Sequence, residues 1–201
     1  MRGIILVVTT LLLASCQSMR YEGDENSPYY TLPTGTRVLL KQALAISPEK
    51  VGVYIQNGKV KPWSEIDHYH AHCKFEVRKR KDTEQQVQPD EFVVTRVVED
   101  IVHSVRWGHW QVADTTLGMR VSDQSGGPSL WTYATYMYIA SDRQPHVFRL
   151  GCGHSAYPGT REAVHLSITQ MRKALGDLIT LQLPTKGANS RENRLTRVDA
   201  T

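Results

Sequence analysis

The chain has 201 residues, 40% of them hydrophobic and 22% charged. That composition suits one soluble domain with a sizeable core and excludes a polytopic membrane protein, a collagen-like or low-complexity chain and wholesale disorder. Lysine and arginine outnumber aspartate and glutamate by 24 to 20, a net charge of +4 that is too small for a nucleic-acid-binding surface. The cysteine count is three; an odd number in an exported protein leaves one thiol to be accounted for.

Arg2 precedes an apolar run from Gly3 to Leu13. At about eleven residues the run is too short to span a bilayer, which takes about twenty, but it has the length of the h-region of an export signal. It closes on Leu13-Ala14-Ser15-Cys16, which resembles the lipobox of bacterial lipoproteins. The resemblance implies that residues 1–15 are a cleaved signal peptide and that Cys16 carries the lipid, a diacylglyceryl group on sulfur and an acyl chain such as palmitate on the new amine. It also implies sorting to the outer membrane, because Gln17 stands where family members kept in the inner membrane carry aspartate. The domain then faces the periplasm. Two or more acyl chains hold firmly, since each buried methylene contributes about 0.8 kcal/mol. The competing readings are an ordinary signal peptide that contains a cysteine and an uncleaved anchor helix. The mature chain is also loosely similar to uncharacterised proteobacterial lipoproteins, a similarity that supplies no activity.

Residues 16–35 contain Gly, Ser, Asn and two prolines without apolar periodicity and read as a flexible, lipid-anchored tether. A single β domain is expected over residues 36–184. Val38, Leu40, Leu44 and Ile46 alternate with polar neighbours as one half-buried strand; Val51, Val53 and Ile55 repeat the period ahead of an Asn57-Gly58 hairpin turn. From Asp67 to Val77 the odd positions Tyr69, Ala71, Cys73, Phe75 and Val77 form an apolar face. The even positions His68, His70, His72, Lys74, Glu76 and Arg78 form a polar one. Phe92 to Val98 is a strand that continues to Val102 or gives way to a helical turn, and Trp131 to Ala140 has the two-faced character of a central strand. Ser141 to Gln144 reads as a hairpin loop into a strand from His146 to Cys152, with Phe148, Leu150 and Cys152 on one face. Ser167-Ile168-Thr169-Gln170 has capping-box form, opening a short helix that Gly176 ends, and Leu178 to Leu183 is a last strand. Residues 185–201 are polar and read as a disordered tail. The expected fold is mainly β, an antiparallel sandwich or partial barrel with one short C-terminal helix.

With Cys16 given to lipid, Cys73 and Cys152 remain on apolar faces of two strands in an oxidising compartment and are expected to form a disulfide. The alternative is a reactive thiol in Cys152-Gly153-His154. His68, His70 and His72 are the candidate metal ligands. In a strand, alternate residues lie about 6.6 Å apart, so at most two of the three reach one ion, and a third ligand would come from His103, His109, His146 or His154. The plainer reading makes them part of the polar face. Trp107, His109 and Trp110 are candidate partner-binding residues, or else cap one end of the core. Arg78-Lys79-Arg80-Lys81 reads as a solvated loop, or as a contact for anionic headgroups. No local catalytic motif is present, no catalytic residue or cofactor is assigned, and a non-enzyme is expected. The expected function is an outer-membrane lipoprotein acting as a binding or structural module of the envelope, its partner a protein or other envelope component. The alternative is a metal-binding lipoprotein using the strand histidines, and a hydrolase with a non-local site comes third.

Overall fold

A computed structural model of the chain describes residues 23–104 and 130–184. Eight strands form one antiparallel sheet: β1 (Arg37–Leu40), β3 (Gly52–Gln56), β4 (Lys59–Lys61), β5 (His72–Val77), β7 (Asp90–Ser104), β8 (Leu130–Ala140), β9 (Val147–Ala156) and β10 (Ile179–Gln182). Their order is β10-β1-β7-β8-β9-β5-β3-β4. Two short strands, β2 (Leu44–Ile46) and β6 (Gln85–Val87), pair separately. Helix α1 (Ile168–Leu175) is the one α-helix among the described residues.

The sheet is curled into a half-barrel around α1. The helix packs against β3 and β5 and also against β10, although β10 and β5 stand five places apart in the sheet. Laid flat, those two strands would be about 24 Å apart at about 4.8 Å per strand, more than a helix of about 10 Å diameter can bridge. The curl brings both to one helix. Ile168, Met171, Ala174 and Leu175 fill the concave side against Phe75, Phe92, Met137, Ile139 and Leu150. Phe75 and Phe92 meet edge-on at 5.8 Å.

The helix begins where the capping box placed it. Ser167 Oγ accepts from the Gln170 N–H, and Gln170 Oε1 accepts from the Ser167 N–H. It ends at Gly176, whose φ of 55° suits a residue without Cβ and whose Cα lies close against Gly58 in the β3–β4 turn. The Gly58 N–H donates to the Ala174 carbonyl at 2.9 Å, tying that turn to the helix terminus.

Several expectations need correction. The run Val38 to Ile46 is two strands in two sheets, because the chain turns between Leu40 and Leu44 and β2 leaves to pair with β6. The strand expected from Asp67 starts at His72. Asp67 closes a turn instead: its Oδ1 accepts from the Tyr69 N–H, and its carbonyl accepts from the His70 N–H. The buried Gln56 side chain then donates to the Asp67 carbonyl at 2.9 Å and accepts from the Asp67 N–H. Phe148 does not share a face with Leu150 and Cys152. The register shifts between Glu76 and Val77, with Glu76 opposite Arg149 and Val77 opposite Val147, so Val147 takes the core position and Phe148 turns outward. Phe92 to Val102 is strand throughout, inside β7.

Residues 23–35, expected as flexible tether, pack on the domain. Leu32 is a core residue, the Thr169 N–H donates to the Glu25 carbonyl, and Glu25 pairs with Arg172. Two apolar anchors, Leu32 and the partly buried Tyr30, achieve this without any periodic pattern. Residues 1–22 and 185–201, which contain the expected signal peptide, the lipid site Cys16 and the polar tail, lie outside the described residues.

Candidate functional site

Alternation puts Tyr54, His72, Lys74, Glu76, Arg149, Gly151, Tyr136, Tyr138 and Arg96 on the face of the sheet away from α1. In the fold they form a packed strip across β3, β5, β9, β8 and β7. Glu76 lies at its centre and is buried; it accepts from Lys74 Nζ at 2.6 Å and is paired with Arg149. Each cation also rests on an aromatic ring. Lys74 lies over Tyr54 at 5.3 Å, and Arg149 over Tyr136 at 4.4 Å and Phe148 at 5.3 Å. Arg78 lies over Phe148 at 5.4 Å, and Arg96 over Tyr138 at 3.8 Å.

The strip depends on one glycine. A Cβ on Gly151 would stand 2.9 Å from the Tyr136 ring, so the bare backbone there lets Tyr136 lie flat across β9 beneath Arg149. Burial alone would pull the Lys74 ammonium down; the Glu76 carboxylate outweighs it and its pKa is raised. The arrangement is four cations backed by rings, with Glu76 enclosed between Lys74 and Arg149. Such a surface holds cations in fixed places without burying them fully and can meet carboxylate, phosphate or sulfate groups. Arg78, assigned to a solvated basic loop, is part of it, and Arg78 Nε also donates to the Pro145 carbonyl at 3.0 Å. Farther along that loop, Arg80 pairs with Glu49.

Next to the strip the candidate metal ligands separate. His70 turns away to Asp67, with Nδ1 2.9 Å from Oδ2. His68 and His72 come together, ring centroids 5.5 Å apart, with Trp63 4.1 Å from His68 and 4.8 Å from Tyr54. These are the first and third histidines, which a continuous strand would have kept about 13 Å apart; the Asp67 turn folds one back on the other. The His72 ring is buried, with Nδ1 3.0 Å from the His70 carbonyl. Among the described residues no set of three His, Cys, Asp or Glu side chains is placed to hold a metal ion.

Burial keeps His72 below the ordinary imidazole range, and the neighbouring His68 and His154 push the same way. A lowered folded-state pKa means that the unfolded chain takes up the proton more readily, so this contribution to stability is present above the unfolded value of 6.5 and is lost as pH falls below it. Urea midpoints are therefore expected to fall between about pH 7.5 and about pH 5.5, and to fall less in His72→Gln. Equal pH dependence in the two proteins would remove His72 as its source.

A second ring group lies on the concave side, where Tyr133 stands 6.1 Å from His154 and 5.9 Å from His165. His154 Nε2 is 2.9 Å from the Val164 carbonyl, which fixes that nitrogen as the donor. His165 Nδ1 is buried without a hydrogen-bond partner. His146 is exposed in the loop before β9.

Cys73 and Cys152 are directly opposite each other on β5 and β9 and form a disulfide, Cα–Cα 4.0 Å. Both are fully enclosed, so the sulfur of the Cys152-Gly153-His154 motif is part of a buried bridge. Trp107, His109 and Trp110 lie outside the described residues. The strip itself was missed in the sequence. Its members Tyr54, Lys74, Tyr136, Tyr138 and Arg149 are spread over four strands and become legible as a group only once the strand order is known. Comparison with protein-family models, with curated proteins and with solved structures returns no match to this chain.

Proposed function

We propose that this protein is an exported lipoprotein, held at the periplasmic face of the outer membrane by lipid on Cys16. In this reading its half-barrel acts as a non-enzymatic binding module for an envelope component that carries acidic groups. The observation that carries the reading is the cysteine arithmetic. Cys73 and Cys152 are joined in a bridge, the chemistry of an oxidising compartment. The third cysteine is the one that ends the lipobox-like Leu13-Ala14-Ser15-Cys16. No helix among the described residues is long and apolar enough to cross a membrane, and an acylated N-terminus supplies attachment without one. The ring-backed cations of the outer face supply the surface.

The test follows wild type and Cys16→Ser in cells fed an alkyne-bearing fatty acid, with membrane fractionation and protein crosslinking. Wild type is expected to carry the label, to travel with the outer membrane and to yield a discrete crosslinked adduct. Cys16→Ser is expected to lose both label and membrane association. An unlabelled wild-type chain, or a Cys16→Ser chain that stays with the membrane, would overturn the anchor; the absence of any discrete adduct would overturn the binding module.

A further inference from the structure

We propose that the partner of the outer face is a carboxylate-bearing glycan, the cell-wall polymer on the side of the domain away from the anchoring membrane. The inference rests on the anchored binding module proposed above and names what that module binds.

The first observation is a ring platform at one end of the cationic strip. Trp63 follows β4 and is 49% exposed. Tyr54 and His68 brace it, and neither lies flat on the indole, the interplanar angles being 47° and 48°. An exposed indole held in one place presents an electron-rich face to the C–H groups of a sugar ring. The cations begin beside it. Lys61 on β4 and Lys74 on β5 both stand opposite Tyr54. Arg149 on β9 and Arg96 on β7 continue the series, and from β3 to β7 the strip spans four strand spacings, about 19 Å. The carboxylate within the strip, Glu76, is enclosed between Lys74 and Arg149, and Asp100 lies at the margin, opposite Ala134.

Lysine carries three donors and arginine five, so the pairs with Glu76 leave N–H groups for a ligand. A ring face followed by fixed cations matches a polymer in which the apolar faces of sugars adjoin acidic groups. A free anion would use the cations alone and have no need of Trp63.

The second observation is where the chain leaves the domain. Thr169, at the start of α1, bonds to Glu25 and Asn26, and Glu25 pairs with Arg172. The chain therefore departs from the helix side, across the sheet from the strip. From Cys16 to Gly23 the chain extends to roughly 25 Å at most. A domain of about 140 residues has a radius of gyration near 14 Å, hence a diameter of roughly 37 Å. Lipid on Cys16 thus keeps the helix side next to the bilayer, and the tether is too short to turn the outer face onto that same bilayer. Headgroup phosphates of the anchoring membrane are out of reach. The acidic polymer that the outer face meets is the wall beneath that membrane.

The test uses the full acylated chain in fluorescent phosphatidylcholine vesicles, mixed with isolated cell-wall sacculi that sediment at speeds leaving vesicles in solution. Wild-type vesicles are expected to sediment with the sacculi. Trp63→Ala is expected to lower the captured fraction about tenfold, and Arg96→Gln severalfold; thermal melts report that both variants are folded. Amidation of the sacculus carboxylates is expected to abolish capture. Phosphatidylglycerol in the vesicles is expected to leave it unchanged, because the strip does not reach its own bilayer. Capture that survives amidation overturns the proposal. Capture left intact by Trp63→Ala and abolished by polyglutamate marks an acidic protein segment as the partner and overturns it too. Loss of capture on adding phosphatidylglycerol places the strip on the anchoring membrane, with the same consequence. A chain that does not enter vesicles fails the anchor alone, and its own sedimentation with sacculi is then the measurement. A chain that gives a discrete protein adduct in cells yet ignores sacculi overturns the glycan and leaves the binding module standing.

Discussion

Replacing Cys73 and Cys152 together with alanine is expected to lower the stability of the fold by about 4 kcal/mol, the upper part of the usual range for a native bridge. The residues joined are 79 positions apart in sequence. In the chain-entropy view a loop of that length constrains the unfolded ensemble by about 4.5 kcal/mol at room temperature. The native state adds little to the cost of closing it, since β5 and β9 already set the two residues opposite each other through the sheet ladder. The bridge also stands in the middle of the core. Ile55 flanks it on the β3 side and Thr135 on the β8 side, so truncation to alanine leaves a void among close-packed neighbours.

The measurement is urea denaturation of the oxidised protein, the reduced protein and the double variant. With a slope of about 2 kcal/mol per molar urea, the midpoint is expected to drop by roughly 2 M in the variant. Reduction is expected to be slow in native buffer and fast in denaturant, because both sulfurs are enclosed. A midpoint unchanged by the double substitution would show that the bridge constrains nothing the sheet does not already hold. The same experiment bears on compartment, for a chain that loses this much stability on reduction is poorly suited to a reducing cytosol.

The fold class was legible because it rests on short-range signals. Alternation in Val51 to Ile55 and Cys73 to Val77, the two-faced run Trp131 to Ala140, the Asn57-Gly58 turn and the Ser167–Gln170 capping box each act over a few residues, and each holds in the structure. The disulfide was legible for the same reason, since two cysteines on apolar faces need only a shared core. What failed depended on partners distant in sequence. The start of β5 was misplaced because the buried Gln56, in another strand, captures Asp67 and converts an alternating run into a turn. The packing of the polar face was not legible because the alternating pattern does not say what lies alongside. Glu76 is buried, and Lys74 and Arg149 are made to pack, by Tyr54 and Tyr136 on neighbouring strands. The docking of residues 23–35 rests on Leu32 and on Glu25 meeting Arg172 far along the chain. Pattern reads the element; it does not read which elements become neighbours.

Asp90 is a further case of a distant partner, and its replacement by alanine is the second change expected to have a large effect, about 3 kcal/mol. In the sequence it follows Pro89 in a polar connector. In the fold its side chain is 1% exposed at the start of β7 and joins it to the β8–β9 hairpin loop. Oδ2 accepts from Ser141 Oγ at 2.7 Å and from Gln144 Nε2 at 3.0 Å, while Oδ1 accepts from the Glu91 N–H at 2.7 Å and from Arg143. The Gln144 side chain completes the clamp by bonding both the N–H and the carbonyl of Gln88 at 2.9 Å. Alanine would leave this whole set of donors facing an empty, largely dry site, and the cost is chiefly that of unmade bonds. Burial raises the carboxyl pKa, but Gln144, Ser141, the Glu91 N–H and Arg143 together outweigh it, so Asp90 titrates below its ordinary value of 3.8. With a depressed folded-state pKa, the clamp's contribution is present above that value and is lost as pH falls through the folded pKa. Wild type is therefore expected to lose stability steeply below about pH 4, and Asp90→Asn, lower at neutral pH because its amide N–H₂ meets donors, to change less over the same window. Urea midpoints across the acid range check the slope, and amide exchange checks the place, with protection falling first around Ser141 to Gln144. An Asp90→Ala protein within about 0.5 kcal/mol of wild type would mean that the hairpin is held by its strand ladder alone.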